Sequence, residues 1–243
     1  MIEHSLDIAT KDGAMTTFIV HPDRGGPYPV ILFFMDAPGI REELRDMARR
    51  FATGGYCVML PNLYYRKGVL EIPPEELADP QMKRMGELAY SLTIPLVMDD
   101  TDALLAIAET LDVADATTVF CVGYCMSGQY AVSAAARHPD RVKAAASVYG
   151  TRLVTDQADS PHLAAREARG ELYFACAETD SWAPPEMIAA LQESLKADKI
   201  AAEVEIYPGV THGFAFPKRA AYDKAAAETH WQRLNALFHR NHA

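Results

Sequence analysis

The alternation of strand-like and helix-like segments constrains the fold of this chain more than any other feature. Continuous apolar runs such as Pro29–Phe34 and Tyr56–Leu60 predict strands that are buried on both faces. Amphipathic stretches lie between such runs, and Glu42–Thr53 has apolar residues at helical spacing. Strands that alternate with helices indicate right-handed βαβ units and a mostly parallel sheet flanked by helices. Ligand sites in such folds lie at the carboxyl ends of the strands.

The same two patterns continue along the rest of the chain. Further strands are predicted at Met15–His21 (as an edge strand), Thr117–Tyr124, Ala144–Tyr149, Glu171–Ala177 and Ala202–Tyr207. Further helices are predicted at Leu96–Leu111, Ser127–His138, Pro184–Ala197 and Ala220–His239. Residues 61–93 form an irregular excursion that we expect to border a site, with a helical piece around Met82–Leu92. No boundary interrupts the pattern, which predicts a single α/β domain over residues 1–243.

Charge and cysteine content narrow the function classes. The net charge is −10 and no run of Lys and Arg occurs, so nucleic acids and anionic membranes are poor partners. The first residues do not resemble a signal peptide, and the longest apolar stretches are too short to span a bilayer. We therefore expect a cytoplasmic location. The four cysteines match no metal-binding spacing, and reduced thiols are expected.

The segment GYCMSG, which begins at Gly123, lies where a predicted strand ends and a helix begins. A nucleophile elbow needs this context and small residues two positions on either side of the nucleophile. Gly123 and Ser127 meet that need if Cys125 is the nucleophile, and the Met126 N–H is then an oxyanion donor at a helix N-terminus. Ser127 as nucleophile would place Cys125 and Gln129 at the small positions, which fails sterically. The alternative is a buried, inert cysteine in a tight turn.

A cysteine nucleophile needs a base and a group that orients the base. His212 lies in the loop GVTHGF directly after the predicted strand Ala202–Tyr207. Asp180 lies in the loop ETDS after another strand, between the nucleophile and the histidine as this fold's chain order requires. Glu178 competes with Asp180 for the acid role. Either carboxylate could instead cap the helix that begins near Pro184.

These residues resemble the dienelactone hydrolases, also called the carboxymethylenebutenolidase family. The resemblance covers nearly the whole chain and rests on the cysteine elbow, the segment Pro61–Tyr64, the Asp180 loop and the segment HGFAF from His212. It implies a compact α/β-hydrolase fold without a separate lid domain. It also favours Asp180 over Glu178 as the acid of the triad.

The resemblance implies roles for the segment that follows strand Pro29–Phe34. The family usually has a Glu at the position of Asp36, and that acid holds the resting thiol and receives its proton. The next residue, Ala37, supplies the second oxyanion N–H in the family. The alternative is that Asp36 only forms the turn before Pro38 and Gly39.

One departure from the family bears on the substrate. Dienelactone-cleaving members carry an Arg four residues after the catalytic histidine, where it helps to bind the substrate carboxylate, and this chain has Phe216 there. Tyr90 matches a pocket tyrosine of the family. Other cations could replace the missing one: Arg66, Arg84, Lys83, Lys218 and Arg219.

The sequence therefore predicts a carboxylic ester hydrolase that acts on a small-molecule ester or lactone through a Cys125–His212–Asp180 triad. The chemistry requires no metal and no organic cofactor. One rival is a carboxylesterase or thioesterase for less anionic substrates, which Phe216 favours. The other rival is a non-catalytic thiol redox sensor or binding protein, which would need neither His212 nor Asp180.

Overall fold

The computed structural model describes residues 1–79 and 81–242, so Pro80 of the predicted irregular segment and Ala243 lie outside the described residues. The chain divides into two compact units, Met1–Val119 and Phe120–Ala243. One strand, β5 (Ala114–Tyr124), begins in the first unit and ends in the second. A single domain over residues 1–243 stays a prediction.

The described residues of the first unit form four complete strands and four α-helices. Its strands are β1 (Ile2–Thr10), β2 (Gly13–His21), β3 (Tyr28–Phe34) and β4 (Cys57–Pro61). Its helices are α1 (Glu42–Thr53), α2 (Pro74–Leu77), α3 (Lys83–Tyr90) and α4 (Ile94–Ala108). Strand β3 pairs with β4 in parallel, while β2 pairs with both β1 and β4 in the antiparallel sense. Strand β4 is buried throughout and β3 nearly so, as their continuous apolar runs predict.

The second unit contains the remaining elements. Its complete strands are β6 (Val142–Val148), β7 (Glu171–Thr179) and β8 (Ala202–Thr211). Its helices are α5 (Gly128–Arg137), α6 (Pro161–Ala164), α7 (Pro185–Ala197) and α8 (Lys224–Arg240). Strand β7 pairs in parallel with β6 on one side and with β8 on the other.

The strand order β1-β2-β4-β3-β5-β6-β7-β8 confirms the predicted mostly parallel sheet with flanking helices. The prediction that Met15–His21 is an edge strand was wrong. Strand β1 pairs with β2 along its whole length, from Ile2 opposite His21 to Thr10 opposite Gly13, so β2 is interior and β1 forms the edge. Strand β1 was not predicted, because Ile8 is its one buried residue and no clear apolar pattern marks the strand.

Candidate active site

A sterically enforced elbow follows β5. Cys125 has φ of +55°, and it begins a 3₁₀ turn that leads into α5. A Cβ on Gly123 would lie 2.0 Å from the Ser127 carbonyl oxygen, so only glycine fits there. A Cβ on Gly128 would lie 2.6 Å from the Gly150 Cα. A non-glycine residue at positive φ costs about 1–3 kcal/mol and persists only where its surroundings enforce it.

Cys125 differs from the other cysteines in its accessibility. Its residue is partly exposed, whereas Cys57, Cys121 and Cys176 are buried. Burial raises the pKa of the Cys57 thiol and of the Cys176 thiol to about 12, and it raises the pKa of Cys121 as well. These three thiols are therefore protonated at neutral pH. Ser127, the alternative nucleophile, is fully buried.

The Asp180 carboxylate and the His212 imidazole meet at the ends of two paired strands. In the register of β7 and β8, Thr179 lies opposite Thr211, so the next residue of each strand emerges at the same edge of the sheet. His212 Nδ1 lies 2.7 Å from Asp180 Oδ2. Asp180 Oδ1 accepts hydrogen bonds from the backbone N–H groups of Trp182 at 2.8 Å and Ala183 at 3.1 Å. Two fixed donors thus orient the carboxylate, and its second oxygen is directed at the imidazole.

The environment of His212 favours the imidazolium. Burial lowers the pKa of His212, but hydrogen bonds and charge interactions with Asp180 and Cys125 outweigh that effect and raise it to about 9. Cys125 is thus one of the groups that act on the imidazole, and because Nδ1 faces Asp180, Nε2 is the ring nitrogen that remains for the thiol.

Glu178, the competing acid, lies elsewhere. Its carboxylate is exposed and accepts a hydrogen bond from the Gly209 N–H at 2.8 Å. The neighbouring residue Asp180 contacts His212 instead. The geometry thus favours Asp180, the residue that the family resemblance selected.

An aromatic cluster that the sequence analysis missed packs beside the imidazole. The Tyr149 ring lies edge-on to the His212 ring, with centroids 4.9 Å apart. Tyr149 has φ of +37° and is buried, so the chain holds a strained residue against the imidazole. The Tyr124 ring lies 5.9 Å from that of Tyr149. No motif marks such a cluster, because its members lie far apart in the sequence.

Buried His230 holds the Tyr124 side chain of this cluster. Its Nε2 lies 3.0 Å from Tyr124 Oη, and its Nδ1 is hydrogen-bonded to the carbonyl oxygen of Ala227. A carbonyl oxygen only accepts, so Nδ1 carries the proton and Nε2 accepts from the tyrosine hydroxyl. The last helix therefore fixes the residue that precedes Cys125.

Phe216 is fully buried and belongs to the same packing. The centroid of the Phe216 ring lies 5.3 Å from that of the Tyr124 ring. The guanidinium of Arg219 lies over the Phe216 ring, also 5.3 Å from its centroid. The Arg219 stem also passes the loop of His212, since a Cβ on Gly213 would lie 3.2 Å from Arg219 Cδ. Of the cations that the sequence offered, Arg219 thus lies beside the His212 loop.

The turn after β3 carries Asp36 and Ala37. The Asp36 side chain is fully buried and forms an ion pair with Arg41, with Nη1 2.6 Å from Oδ1. Arg41 also binds Glu43 at 2.9 Å. Burial lowers the pKa of Arg41, but the two carboxylates outweigh it and raise that pKa. The Ala37 carbonyl oxygen accepts a hydrogen bond of 2.7 Å from Tyr64 Oη. The sequence analysis did not single out Arg41 or Glu43, and it quoted Tyr64 only as the end of the segment Pro61–Tyr64.

The remaining predicted pocket residues have other surroundings. Arg66 is bound by Asp100, with two contacts of 2.7 Å, and by Asp12 at 2.7 Å. The Arg84 side chain is 41% exposed, with Glu76 at 3.6 Å and Glu87 at 3.7 Å. Tyr90 is 72% exposed. These contacts favour a structural role for Arg66, and pocket roles for Tyr90 and Arg84 stay predictions.

Within residues 1–79 and 81–242, no three His, Cys, Asp or Glu side chains are grouped so that they could hold a metal ion. Among the helices of those residues, none has the length and apolarity needed to cross a membrane.

Comparisons with known proteins agree with the resemblance. The model of the dienelactone hydrolase family matches residues 15–242. A putative carboxymethylenebutenolidase of Methylorubrum extorquens is 28% identical over 98% of this chain and 81% of its own length, and one of Escherichia coli K12 is 29% identical over 95% and 84%. The crystal structure of a putative dienelactone hydrolase from Klebsiella pneumoniae superimposes with a TM-score of 0.84 at 25% identity, covering 98% of both chains. This chain therefore belongs to the dienelactone hydrolase family and is an α/β-hydrolase that acts on ester or lactone bonds.

Proposed function

We propose that the protein hydrolyses a small-molecule ester or lactone with Cys125 as nucleophile, His212 as base and Asp180 as orienting acid. One observation carries the proposal: His212 is hydrogen-bonded to Asp180, and both Asp180 and Cys125, the partly exposed cysteine of an enforced elbow, raise the pKa of its imidazole. Inert cysteines do not need such surroundings. The proposal includes a cytoplasmic location, where the thiol stays reduced.

The first half-reaction forms a thioester. His212 Nε2 accepts the proton of the Cys125 thiol, and the thiolate attacks the carbonyl carbon of the substrate. The carbonyl oxygen becomes an oxyanion, which the Met126 N–H stabilises in this proposal, and a second donor at Ala37 stays a prediction from the family resemblance. When the tetrahedral intermediate collapses, the bond to the alkoxide breaks and the imidazolium returns its proton to the leaving oxygen.

The second half-reaction consumes the thioester. His212 accepts a proton from water, and the resulting hydroxide attacks the thioester carbonyl. The carbon–sulfur bond then breaks, which releases the acid, and the imidazolium returns its proton to the Cys125 sulfur. No metal or organic cofactor takes part in either step.

The test is a comparison of single cysteine variants on an activated neutral ester. Cys125→Ala should abolish turnover while thermal unfolding stays close to that of the wild type. Cys57→Ala and Cys176→Ala, which remove buried thiols, serve as matched controls and should retain turnover. Wild-type turnover in Cys125→Ala would refute the proposal, as would a mass-spectrometric acyl adduct on Ser127.

A second candidate is an esterase for substrates that carry no carboxylate. The observation that favours it is the buried ring of Phe216, at the position where dienelactone-cleaving relatives place a cation. Arg66 also favours this candidate, because its guanidinium already binds Asp100 and Asp12. Burial of an unpaired substrate charge is costly, so a pocket without a cation selects neutral esters.

A further inference from the structure

The loop that follows β6, residues 149–152, contacts both the proposed nucleophile and the proposed base; we call it the β6 loop. The Thr151 N–H donates a hydrogen bond of 3.1 Å to the Cys125 carbonyl oxygen. Two residues earlier, the Tyr149 ring packs edge-on against the His212 ring, with centroids 4.9 Å apart. All of these residues belong to the second compact unit, so the contacts lie within that unit.

The backbone of the β6 loop is fixed by the elements on either side of it. The Tyr149 N–H donates a hydrogen bond of 2.6 Å to the Ala175 carbonyl oxygen on β7. The loop also packs closely on the start of α5, where a Cβ on Gly128 would lie 2.6 Å from the Gly150 Cα. Tyr149 and Arg152 have φ of +37° and +56°, which persist only where the surroundings enforce them. The loop is therefore a rigid support for the side chains that it carries.

The Tyr149 side chain is held by other aromatic rings. It is 1% exposed. The ring centroids of Phe214, Tyr124 and Phe216 lie 5.3, 5.9 and 6.1 Å from its own. Aromatic pairs at these separations are favourable in tilted and edge-to-face arrangements. The Tyr149 ring is thus a fixed wall on one side of the His212 imidazole.

The imidazole needs a second restraint besides its contact with Asp180. The hydrogen bond at Nδ1 fixes one atom of the ring. Hydrogen bonds weaken steeply only below a donor angle of about 120°, so this bond alone lets the ring tilt. Any tilt about Nδ1 displaces Nε2, which is the ring nitrogen that remains for the Cys125 thiol. The Tyr149 ring blocks such a tilt on the side where it packs.

We propose that Tyr149 is a positioning residue that holds the plane of the His212 imidazole, so that Nε2 faces the Cys125 thiol. The inference rests on the proposed function, in which His212 is the base. The Tyr149 ring acts on the base and not on the substrate, so its loss should lower kcat and leave the KM of a neutral ester nearly unchanged. A displacement of about 1 Å can cost about 10² in rate, and we expect kcat to fall about 10- to 10²-fold.

The main variant is Tyr149→Leu, which removes the ring. Tyr149→Phe keeps the ring and should retain kcat within about threefold of the wild type. Phe238→Leu is the matched control, because it removes another fully buried ring of the same unit, one that stacks on Phe120 at 4.9 Å. That control should lose stability and keep its kcat. If Tyr149→Leu does not fold, Tyr149→Met takes its place, since methionine fills irregular gaps without a ring. Thermal unfolding of each variant verifies the fold.

NMR relaxation of the His212 ring separates positioning from a general loss of packing. Carbon relaxation at the ring C–H groups reports motion on the picosecond to nanosecond timescale. The order parameter should fall in Tyr149→Leu and stay at the wild-type value in Tyr149→Phe and Phe238→Leu. A lower kcat with an unchanged order parameter would overturn the inference. So would an unchanged kcat in folded Tyr149→Leu, or an equal loss of kcat in Tyr149→Phe.

The relaxation measurement needs no turnover, which keeps the two proposals apart. Turnover in Cys125→Ala would refute the triad, whatever the motion of the imidazole. An equally rigid His212 ring in Tyr149→Leu would refute the positioning role, even if Cys125→Ala were inactive.

Discussion

Replacement of Asp180 by Asn tests the triad through the geometry of a single carboxylate. Asp180 Oδ1 accepts from the backbone N–H groups of Trp182 and Ala183, and an amide nitrogen cannot accept either bond. The asparagine oxygen must therefore take the position of Oδ1, and its NH₂ group faces His212 Nδ1. That NH₂ can only donate, so Nδ1 becomes an acceptor and the proton moves to Nε2. The imidazole then presents a donor to the Cys125 thiol and cannot accept its proton.

The size of the effect follows from the pKa of His212. A rise from 6.5 to about 9 corresponds to about 3 kcal/mol in favour of the imidazolium. Asp180 and Cys125 share this stabilisation, so the loss of one carboxylate charge removes about 1–2 kcal/mol, or roughly tenfold in rate. Inversion of the tautomer adds to this, and the same exchange in a serine-protease triad costs about 10⁴. We expect kcat/KM of Asp180→Asn to fall by at least about 10².

The assay measures kcat/KM of an activated neutral ester at neutral pH, with circular dichroism to verify the fold. Glu178→Gln is the matched control, since Glu178 precedes Asp180 by two residues and binds the Gly209 N–H. That control should keep nearly full activity. If Asp180→Asn stayed within about fivefold of the wild type, the imidazole would not depend on this carboxylate and the assignment of the triad would be incorrect.

Two further predictions concern pH and substrate charge. Because the pKa of His212 is raised, its contribution to stability is fully present below its unfolded value near 6.5 and is lost as pH rises through about 9, so the Tm advantage of the wild type over Asp180→Asn should shrink between pH 6 and pH 10. A widening gap over that range would contradict the assigned ion pair. In a comparison of a neutral ester with its carboxylate analogue, we expect no preference for the carboxylate. A preference of about tenfold, or 1.4 kcal/mol, would contradict the neutral-ester reading. If Arg219→Ala erased that preference and Arg66→Ala did not, the cation would be the one beside the His212 loop.

The sequence predicted those features that depend on local chemistry or on strand order. The apolar runs of β3 and β4 identify these strands because both are buried. The elbow was predictable because the steric rule that requires Gly123 acts over four residues. The contact between Asp180 and His212 was predictable because parallel strands end at one edge of the sheet, and the register of β7 and β8 places both residues there.

Other features depend on the directions in which side chains point, and the pattern of apolar and polar residues does not determine these directions. Arg66 was a candidate for the pocket because its segment is irregular, yet its guanidinium binds Asp100, which lies 34 residues later on a helix. Phe216 was predicted to line the pocket, a role that stays a prediction, and its buried ring packs against Tyr124, which lies far away in the sequence. The pair of Asp36 and Arg41 depends on a tight turn between them, and no periodicity marks that turn.

Asp36 and Asp180 are both buried and both follow a strand, so their sequence positions do not distinguish their roles. Their hydrogen-bond partners do. A buried carboxylate must be hydrogen-bonded or paired. At Asp180 two backbone donors occupy one oxygen, and the other is directed at an imidazole that can gain and lose a proton. At Asp36 one guanidinium binds both oxygens, and that cation keeps its proton throughout the working range of an enzyme. An acid that exchanged a proton with the thiol would have to give up contacts with Arg41. The geometry therefore favours Asp180 as the acid that serves the chemistry and Asp36 as the anion that anchors the turn.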